Sequence, residues 1–207
     1  MLEPNADILT RASHLMRSAW SATLLYDQTP FDTQCMIDPR TGDFIVAIDK
    51  DALGASDLIL ACPRDSFDTL IRISVELSES AAEEQCDRFI AYHLPSTRPL
   101  LAIGKFEYAK LDSGEVVTPE QCPLNNPLVD NMGRLCKSLN ADRSRLSSLC
   151  NKLSGVAHEI PLAVGVDPTG IDIRASYGLV RLVLPTPMID LDDAMNTIES
   201  LLESCNA

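Results

Sequence analysis

One histidine of this sequence lies where it could bind a cofactor. Histidine is a common metal ligand, and haem iron takes an axial ligand such as His, Cys or Tyr. His14 is on the polar side of a predicted helix, His158 is in a predicted loop, and His93 is on the apolar stripe of another helix, near its end. His93 is therefore the candidate cofactor ligand, with a packed core or helix-end histidine as the alternative.

Three basic residues could bind an anionic group such as a phosphate. Lys50 follows a predicted strand, and Arg72 and Lys105 lie within predicted strands. Because Arg72 lies between Ile71 and Ile73, its side chain points away from their face of the sheet. We predict a cofactor-binding role for all three cations, with a solvated or ion-paired position on the outer face of the sheet as the alternative.

The sequence contains no complete catalytic or metal-binding motif. It has no G-x-S-x-G elbow and no glycine-rich phosphate loop, and its seven cysteines include no C-x-x-C pair of the kind that binds zinc. The acidic run Asp190, Asp192 and Asp193 begins a predicted helix, where carboxylates cap free N–H groups. We therefore predict no metal site and assign no catalytic residue, and whether the protein is an enzyme stays open.

The charge balance argues against two classes of partner. The chain has 207 residues, 30 acidic and 17 basic, and a net charge of −13, whereas nucleic acids and anionic membranes attract clustered Lys and Arg. No apolar run approaches the roughly 18 residues of a membrane span, and the first residues are acidic where a secretory signal is positive. We expect a soluble cytoplasmic protein with reduced cysteines and with neither nucleic acid nor membrane as a partner.

Apolar periodicity predicts a strand-rich first part of the chain. A first helix is predicted over residues 5–19 from apolar residues at helical spacing. Strands are predicted at residues 21–26, 33–37, 44–48, 69–77, 100–111 and 115–118. Residues 52–61 are ambiguous and could form a short helix. Ser80 and Glu83 match a capping box that begins a second helix, and Pro95 ends it.

A proline-rich segment without periodicity, residues 119–127, marks the predicted domain boundary. The predicted domains are residues 1–122 and residues 123–207. The second begins with a long amphipathic helix, kinked near residues 140–145 and stopped by Gly155. Strands at 160–166, 171–175 and 179–184 follow, and a last helix begins at Asp190, which gives the order α-β-β-β-α.

Two parts of the chain resemble a known family. The second helix ends in Tyr92-His93-Leu94-Pro95, and the next strand contains Gly104-Lys105-Phe106-Glu107-Tyr108. Residues 164–174 are Val-Gly-Val-Asp-Pro-Thr-Gly-Ile-Asp-Ile-Arg. These motifs resemble the haem-utilisation and pyridoxamine-phosphate-oxidase-like split barrels and the small domain that often follows that barrel. The resemblance implies an α+β fold, with an FMN-binding split β-barrel followed by a small α-β-β-β-α domain. It also implies a homodimer with a tetrapyrrole or flavin site at the interface.

The sequence departs from the cofactor motifs of that family. The family's small domain usually opens with His-Met-Asn-x-Asp-His, but residues 138–143 are Ser-Leu-Asn-Ala-Asp-Arg, so both histidines are missing. The His-Thr pair near the flavin phosphate is absent from residues 48–57, where Asp49, Asp51 and Asp57 would repel a phosphate. Neither haem nor FMN has an intact motif, and haem is favoured because the phosphate-binding region is degraded.

Three functions are compatible with this resemblance. The first is a haem- or flavin-binding protein of the haem-utilisation type, in haem degradation or trafficking. The second is a non-catalytic adaptor whose protein partner is an enzyme of the tetrapyrrole pathway, which fits the loss of both histidines and of the flavin motif. The third is an FMN-dependent oxidoreductase of the pyridoxamine-phosphate-oxidase type, against which the Asp-rich segment counts.

Overall fold

Helices and strands alternate in an α+β fold that divides into two units, Met1–Asn125 and Asn126–Ala207. The structure is a computed structural model, and it describes residues 5–26, 29–55, 57–63, 69–155 and 159–205. His158, one of the three histidines, lies outside the described residues.

The first unit is built around a closed β-barrel. Its helices are α1 (Ala6–Arg17) and α2 (Glu83–His93). Its strands are β1 (Ser21–Tyr26), β2 (Thr29–Ile37), β3 (Phe44–Ile48), β4 (Leu58–Cys62), β5 (Ile71–Ser80), β6 (Leu100–Leu111) and β7 (Val116–Val117). They pair antiparallel in the order β3-β2-β1-β4-β5-β6-β7. Because β3 also pairs with β6, six strands close into a barrel with β7 as an extra strand, which confirms the predicted α+β barrel fold.

Alternate residues of the barrel strands point inward and form the core. One fully buried row crosses β1, β4, β5 and β6 through the register partners Leu24, Leu60, Ile73 and Ala109. Helix α1 packs Met16 into the same core. Successive side chains of a strand lie on opposite faces, so the residues between these inward positions face outward.

Helix α2 packs outside the barrel, against β2. Its buried Phe89 stacks against the His93 ring with centroids 4.4 Å apart. The Nε2 atom of His93 lies 3.2 Å from the carbonyl oxygen of Cys35 in β2. This hydrogen bond fixes the end of α2 to the barrel wall, and the contact with Phe89, which belongs to the same helix, holds the His93 ring in place.

The structure assigns one segment of the first unit that the sequence leaves ambiguous, and it shows that one local prediction is wrong. Among the described residues of the ambiguous segment 52–61 there is no helix, and residues 58–62 form strand β4 between β1 and β5. Ser80 does not begin the capping box, since it is the last residue of β5 and pairs with Ala102. The N-cap of the helix is Ala82 instead, whose N–H donates to the Gln85 side chain at 2.8 Å.

The second unit packs helices on a three-stranded sheet. Its helices are α3 (Met132–Asn140), α4 (Arg143–Ser154) and α5 (Leu191–Glu203), and its strands are β8 (Leu162–Asp167), β9 (Gly170–Ala175) and β10 (Gly178–Val183), in the order β10-β9-β8. The predicted kink is a complete break between α3 and α4. Asp142 caps α4 by accepting hydrogen bonds from the N–H groups of Ser144 and Arg145, and Gly155 ends it at φ +71°.

A buried ion cluster joins the three strands of this sheet. The Arg181 guanidinium in β10 lies 2.7 Å from carboxylate oxygens of Asp167 in β8 and of Asp172 in β9. It also donates to the Thr169 hydroxyl at 2.8 Å. A Cβ atom on Gly170 would lie 2.8 Å from the guanidinium carbon, so only glycine leaves room for this contact. The cluster is structural, because both carboxylates are engaged by one cation.

No helix within the described part of the chain is long and apolar enough to cross a membrane.

Arg181→Met tests the ion cluster. Because the variant leaves Asp167 and Asp172 buried without their cation, we expect it to destabilise the second unit by about 3–5 kcal/mol. Urea unfolding followed by far-UV circular dichroism measures the loss. Fluorescence of the single tryptophan, Trp20 in the first unit, reports separately on the barrel. Arg134→Met removes an exposed cation of α3 as the control, and a similar effect of both variants would contradict a structural role for the cluster.

His93 should make the barrel unit sensitive to acid. Burial lowers the pKa of His93 from 6.5 to about 4, even though the hydrogen bond to Cys35 opposes that shift. Between these pH values the unfolded chain binds more protons than the native chain, so stability falls as the pH falls from 6.5 towards 4. At pH 4.5 we expect protonation of His93 to lower the free energy of unfolding by on the order of 2 kcal/mol in wild type. His93→Gln should avoid this decrease, because the neutral glutamine amide does not titrate and can still donate a hydrogen bond to the Cys35 carbonyl.

The measurement is urea unfolding of wild type and His93→Gln at pH 7.5 and pH 4.5, followed by Trp20 fluorescence. His14→Gln, which removes a histidine from α1, is the matched control. Equal acid sensitivity of wild type and His93→Gln would show that the ring does not stay neutral in the native barrel.

Candidate functional site

The outward side chains of β1, β4, β5 and β6 form the candidate site. The register places Leu25 beside Ile59, Ile59 beside Ser74 and Ser74 beside Tyr108, and we call these four residues the Tyr108 row. Leu25 and Ile59 are half-buried, Ser74 is buried, and Tyr108 is 45% exposed. The row is a largely apolar strip, which crosses four strands and ends at a phenol.

Two cations lie directly opposite each other next to this row. Arg72 and Lys110 are register partners in β5 and β6, and both are exposed. Each stands two residues along its strand from the Tyr108 row, a spacing of about 7 Å. We call them the cation pair. Like charges placed opposite each other repel, and in the described ranges neither cation has an ion-pair partner. An anionic group bound between them would relieve this repulsion.

A β-bulge adds a carboxylate to the same face. Ser74 pairs with Tyr108 and Val75 with Phe106, so Glu107 is an extra residue of β6 at this point. The Ser74 hydroxyl donates to Glu107 Oε2 at 2.8 Å. Bulges re-aim side chains and increase the local twist of a strand. The bulge therefore leaves Glu107 and Tyr108, two consecutive residues, both exposed.

Lys105 lies on the same face of β6, beyond the bulge. Its register partner is Glu76, and it is exposed. Glu76 is four residues along β5 from Arg72, about 13 Å. Lys105 therefore stands opposite a carboxylate and apart from the cation pair.

Lys50 belongs to a turn at another part of the barrel. Lys50 is exposed in the turn that follows β3. Ile48, the last residue of β3, pairs with Leu100 at the start of β6, whereas Lys110 lies near the other end of β6. The neighbouring Asp49 accepts hydrogen bonds at 3.0 Å from the N–H groups of Asp51 and Ala52. The backbone donors of this turn are thus used by the protein's own carboxylate.

Tyr26 fixes the Asp49 carboxylate from the barrel side. The Tyr26 hydroxyl donates to Asp49 Oδ2 at 2.7 Å. This hydrogen bond, with those from the turn backbone, lowers the pKa of Asp49. A carboxylate whose pKa is held below its usual value therefore stands where the resemblance implied a phosphate.

His93 lies far from the outer face of β5 and β6. Its Nε2 atom is hydrogen-bonded to the Cys35 carbonyl in β2. Cys35 is the register partner of Val46 in β3, and Val46 is the register partner of Ala102 in β6. Ala102 is six residues along β6 from Tyr108, about 20 Å. The structure therefore brings Arg72 and Lys110 together but separates Lys50, Lys105 and His93 from them.

The two motif residues retained in the second unit have structural contacts. Asn140 forms a pair of hydrogen bonds with the backbone of Ala163, at 2.8 and 2.9 Å, and Asp142 caps α4. Asp190 accepts from the N–H of Asp193 at 2.9 Å, which confirms the predicted cap of the last helix. No group of three or more His, Cys, Asp and Glu side chains suited to a metal occurs in the part of the chain that the structure describes.

Sequence reasoning found Arg72 but missed Lys110, Ser74, Glu107 and Tyr108. The available signal was the spacing of polar residues in β6, where Lys105, Glu107 and Lys110 interrupt an apolar strand. That spacing departs from strict alternation because of the bulge. Only the pairing of β5 with β6 shows which of these residues face Arg72.

The outer face has the chemistry for a flat, anionic ligand. Cations bind carboxylates and phosphates through charge-assisted hydrogen bonds. Ligand sites combine mostly apolar contacts with a few placed polar groups. The Tyr108 row offers apolar contacts, and the cation pair beside it offers charge-assisted hydrogen bonds.

Comparison with known proteins identifies the fold. No family model and no curated protein matches the sequence. A crystal structure of a protein of unknown function from Agrobacterium tumefaciens is similar, with a TM-score of 0.71, 18% identity and coverage of 98% of both chains. A haem-binding protein from Mycobacterium smegmatis has a TM-score of 0.39 and 15% identity, over 100% of this chain and 99% of that one. The first likeness shows a shared fold, and the second is too weak to support a conclusion about this chain.

Proposed function

We propose that this protein binds haem on the outer face of β1, β4, β5 and β6. The observation that carries the proposal is the register of β5 and β6, which places the cations Arg72 and Lys110 opposite each other beside the Tyr108 row. Haem is a flat apolar ring with two carboxylates on one edge. The ring would lie over the Tyr108 row, and the carboxylates would bind the cation pair.

The charged and apolar side chains of this face support haem as the ligand. Each cation can neutralise one carboxylate, and the half-buried Leu25 and Ile59 provide apolar contact for the ring. Bound haem would supply an iron centre, whose reactivity depends on its axial ligand and surroundings. The residues of the chain bind and orient the ring, and this serves either haem degradation or haem trafficking.

Flavin mononucleotide is the competing occupant, and two features disfavour it. A phosphate needs several N–H or O–H donors, yet those of the turn at Asp49 already bond to that carboxylate. Glu107 adds a negative charge on the outer face. A dianionic phosphate would meet more repulsion there than a haem carboxylate.

We also propose that the site lies between two copies of the chain. The resemblance to split barrels implies a homodimer, and the Tyr108 row leaves apolar surface that a second barrel would cover. Covering the ring on its second face would exclude water from it.

The test is titration of the purified protein with haemin and, separately, with FMN, followed by absorption and fluorescence. The double variant Arg72→Gln/Lys110→Gln should weaken haemin binding by about tenfold or more, since it removes both charge-assisted contacts. The matched control is Arg134→Gln/Lys137→Gln, which removes two exposed cations from α3 and changes the net charge equally. Equal affinities of the two double variants would contradict this placement of the ligand.

Other outcomes of the same titrations separate the alternatives. Tight FMN binding without haemin binding would favour the oxidoreductase. Binding of neither ligand would favour the adaptor, which acts through protein contacts. Light scattering in gel filtration tests the homodimer, and a monomer at micromolar concentration would remove it from the proposal.

A further inference from the structure

We propose that Cys150 and Cys205 form a redox modification site, at which hydrogen peroxide joins the two thiols in a disulfide. Both residues belong to the second unit, so this inference does not depend on what the barrel binds. Cys150 lies in α4, and Cys205 follows the end of α5. Neither cysteine is in a disulfide in the structure.

Contacts between α4 and α5 hold the two cysteines near each other. Cys150 is fully buried in the apolar core of the second unit, and Cys205 packs against that core. The Lys152 ammonium of α4 donates to the carbonyl oxygen of Ser204 at 3.1 Å. This bond connects a residue two positions from Cys150 to the neighbour of Cys205, so it holds the end of α5 against α4.

The electrostatics of Cys150 agree with this placement. Burial raises the pKa of the Cys150 thiol to about 11, and the Cys205 thiol adds to that rise. Because the interaction between two charges weakens with distance, an effect of Cys205 on Cys150 requires that the two sulfur atoms be close.

The two thiols differ in their access to solvent, which gives them different roles. Cys205 is half-buried at the end of its helix, whereas Cys150 is fully buried. Exposed thiols react with oxidants, while buried ones are inert. A small oxidant therefore reaches Cys205 first, and Cys150 reacts only with the oxidised Cys205.

The Cys205 thiol has one hydrogen bond to leave before it reacts. It donates to the carbonyl oxygen of Leu201 at 3.2 Å, four residues earlier in the chain. Turning the sulfur towards Cys150 thus breaks a hydrogen bond that lies within the last turn of α5, and it leaves the bond between Lys152 and Ser204 in place.

The reaction proceeds in two steps and consumes one peroxide. Cys205 Sγ attacks an oxygen of hydrogen peroxide and the O–O bond breaks, which gives a sulfenic acid on Cys205 and one water. Cys150 Sγ then attacks Cys205 Sγ and the S–O bond breaks. The leaving hydroxide takes the Cys150 proton and becomes the second water. Two electrons pass from the two sulfur atoms to the peroxide.

A second pair of cysteines provides an internal control. Cys62 adds to the rise in pKa that burial gives Cys35, so these two thiols are also neighbours. Both belong to the barrel core, where Cys35 is 0% and Cys62 is 4% exposed. Because a dissolved oxidant has no access to either sulfur in the folded barrel, we expect this pair to stay reduced under the same treatment.

The experiment treats the reduced full-length protein with hydrogen peroxide and maps its cysteines by mass spectrometry without reduction. Trypsin places the three cysteines of the second unit on separate peptides, which are residues 135–137, 146–152 and 182–207. We expect a linked pair of the last two peptides, which dithiothreitol separates, and a loss of two of the seven thiols. Cys136→Ser, which removes a half-buried cysteine beside the same core, is the matched control and should still form the link.

The variant Cys205→Ser should leave Cys150 reduced, because the oxidant has no other way to that thiol. Oxidation of Cys205 to the sulfinic acid without a link would overturn the proposal. A link from Cys205 to Cys136, or between two chains, would overturn it as well.

Unfolding gives a second measurement of the same bond. The disulfide closes the loop from Cys150 to Cys205, which restricts the unfolded second unit. Oxidation should therefore raise the urea midpoint of the second unit by about 1 M or more in far-UV circular dichroism. The Trp20 transition of the barrel should not move. An unchanged midpoint in the oxidised, linked protein would contradict a bond that fits the native contacts.

Discussion

The pairing of β3 with β6 is the constraint on which the barrel unit depends. It turns a row of antiparallel strands into a closed wall, so each residue of β6 has a fixed inward or outward direction. A long strand that pairs with β3 at one end and with β5 along much of its length must bend, and the bulge beside Glu107 lies within this strand. Closure of the core thereby determines which polar side chains stand together outside.

The two units differ in what they bury, since the first has an apolar barrel core and the second also contains a buried ion cluster. The barrel core is apolar and closed on itself, and its outward face is free to carry charge. The sheet described in the second unit has three strands, and the Arg181 cluster connects them. Two carboxylates on one guanidinium connect all three strands at once. A shift in strand register would separate the guanidinium from a carboxylate, and a buried charge that has lost its partner is strongly destabilising.

Much of the fold could be predicted from sequence, because strand periodicity is local. The bounds of β1, β3 and β6 match the periodic segments residue for residue. The strand β4 was ambiguous because Leu58–Cys62 is a continuous apolar run, which periodicity cannot assign. The predicted capping box is wrong because Ser80 and Glu83 have the residue types and spacing of that motif, but Ser80 pairs with β6 and belongs to strand β5. Arg72 could be placed outward from its neighbours, but Lys110 and Tyr108 became its companions only through strand pairing and a bulge. Those are long-range properties that a single sequence leaves unspecified.

The cation pair also determines how an anion would reach the protein. The chain carries a net charge of −13, so an approaching anion is repelled at long range and attracted only close to Arg72 and Lys110. Dissolved salt screens charges separated by more than about 10 Å at 0.1 M, and it screens contacts much less. Added salt therefore weakens the barrier to approach more than the contact itself. The association rate of an anionic ligand should rise with ionic strength, opposite to the behaviour of a site steered by a broad basic surface.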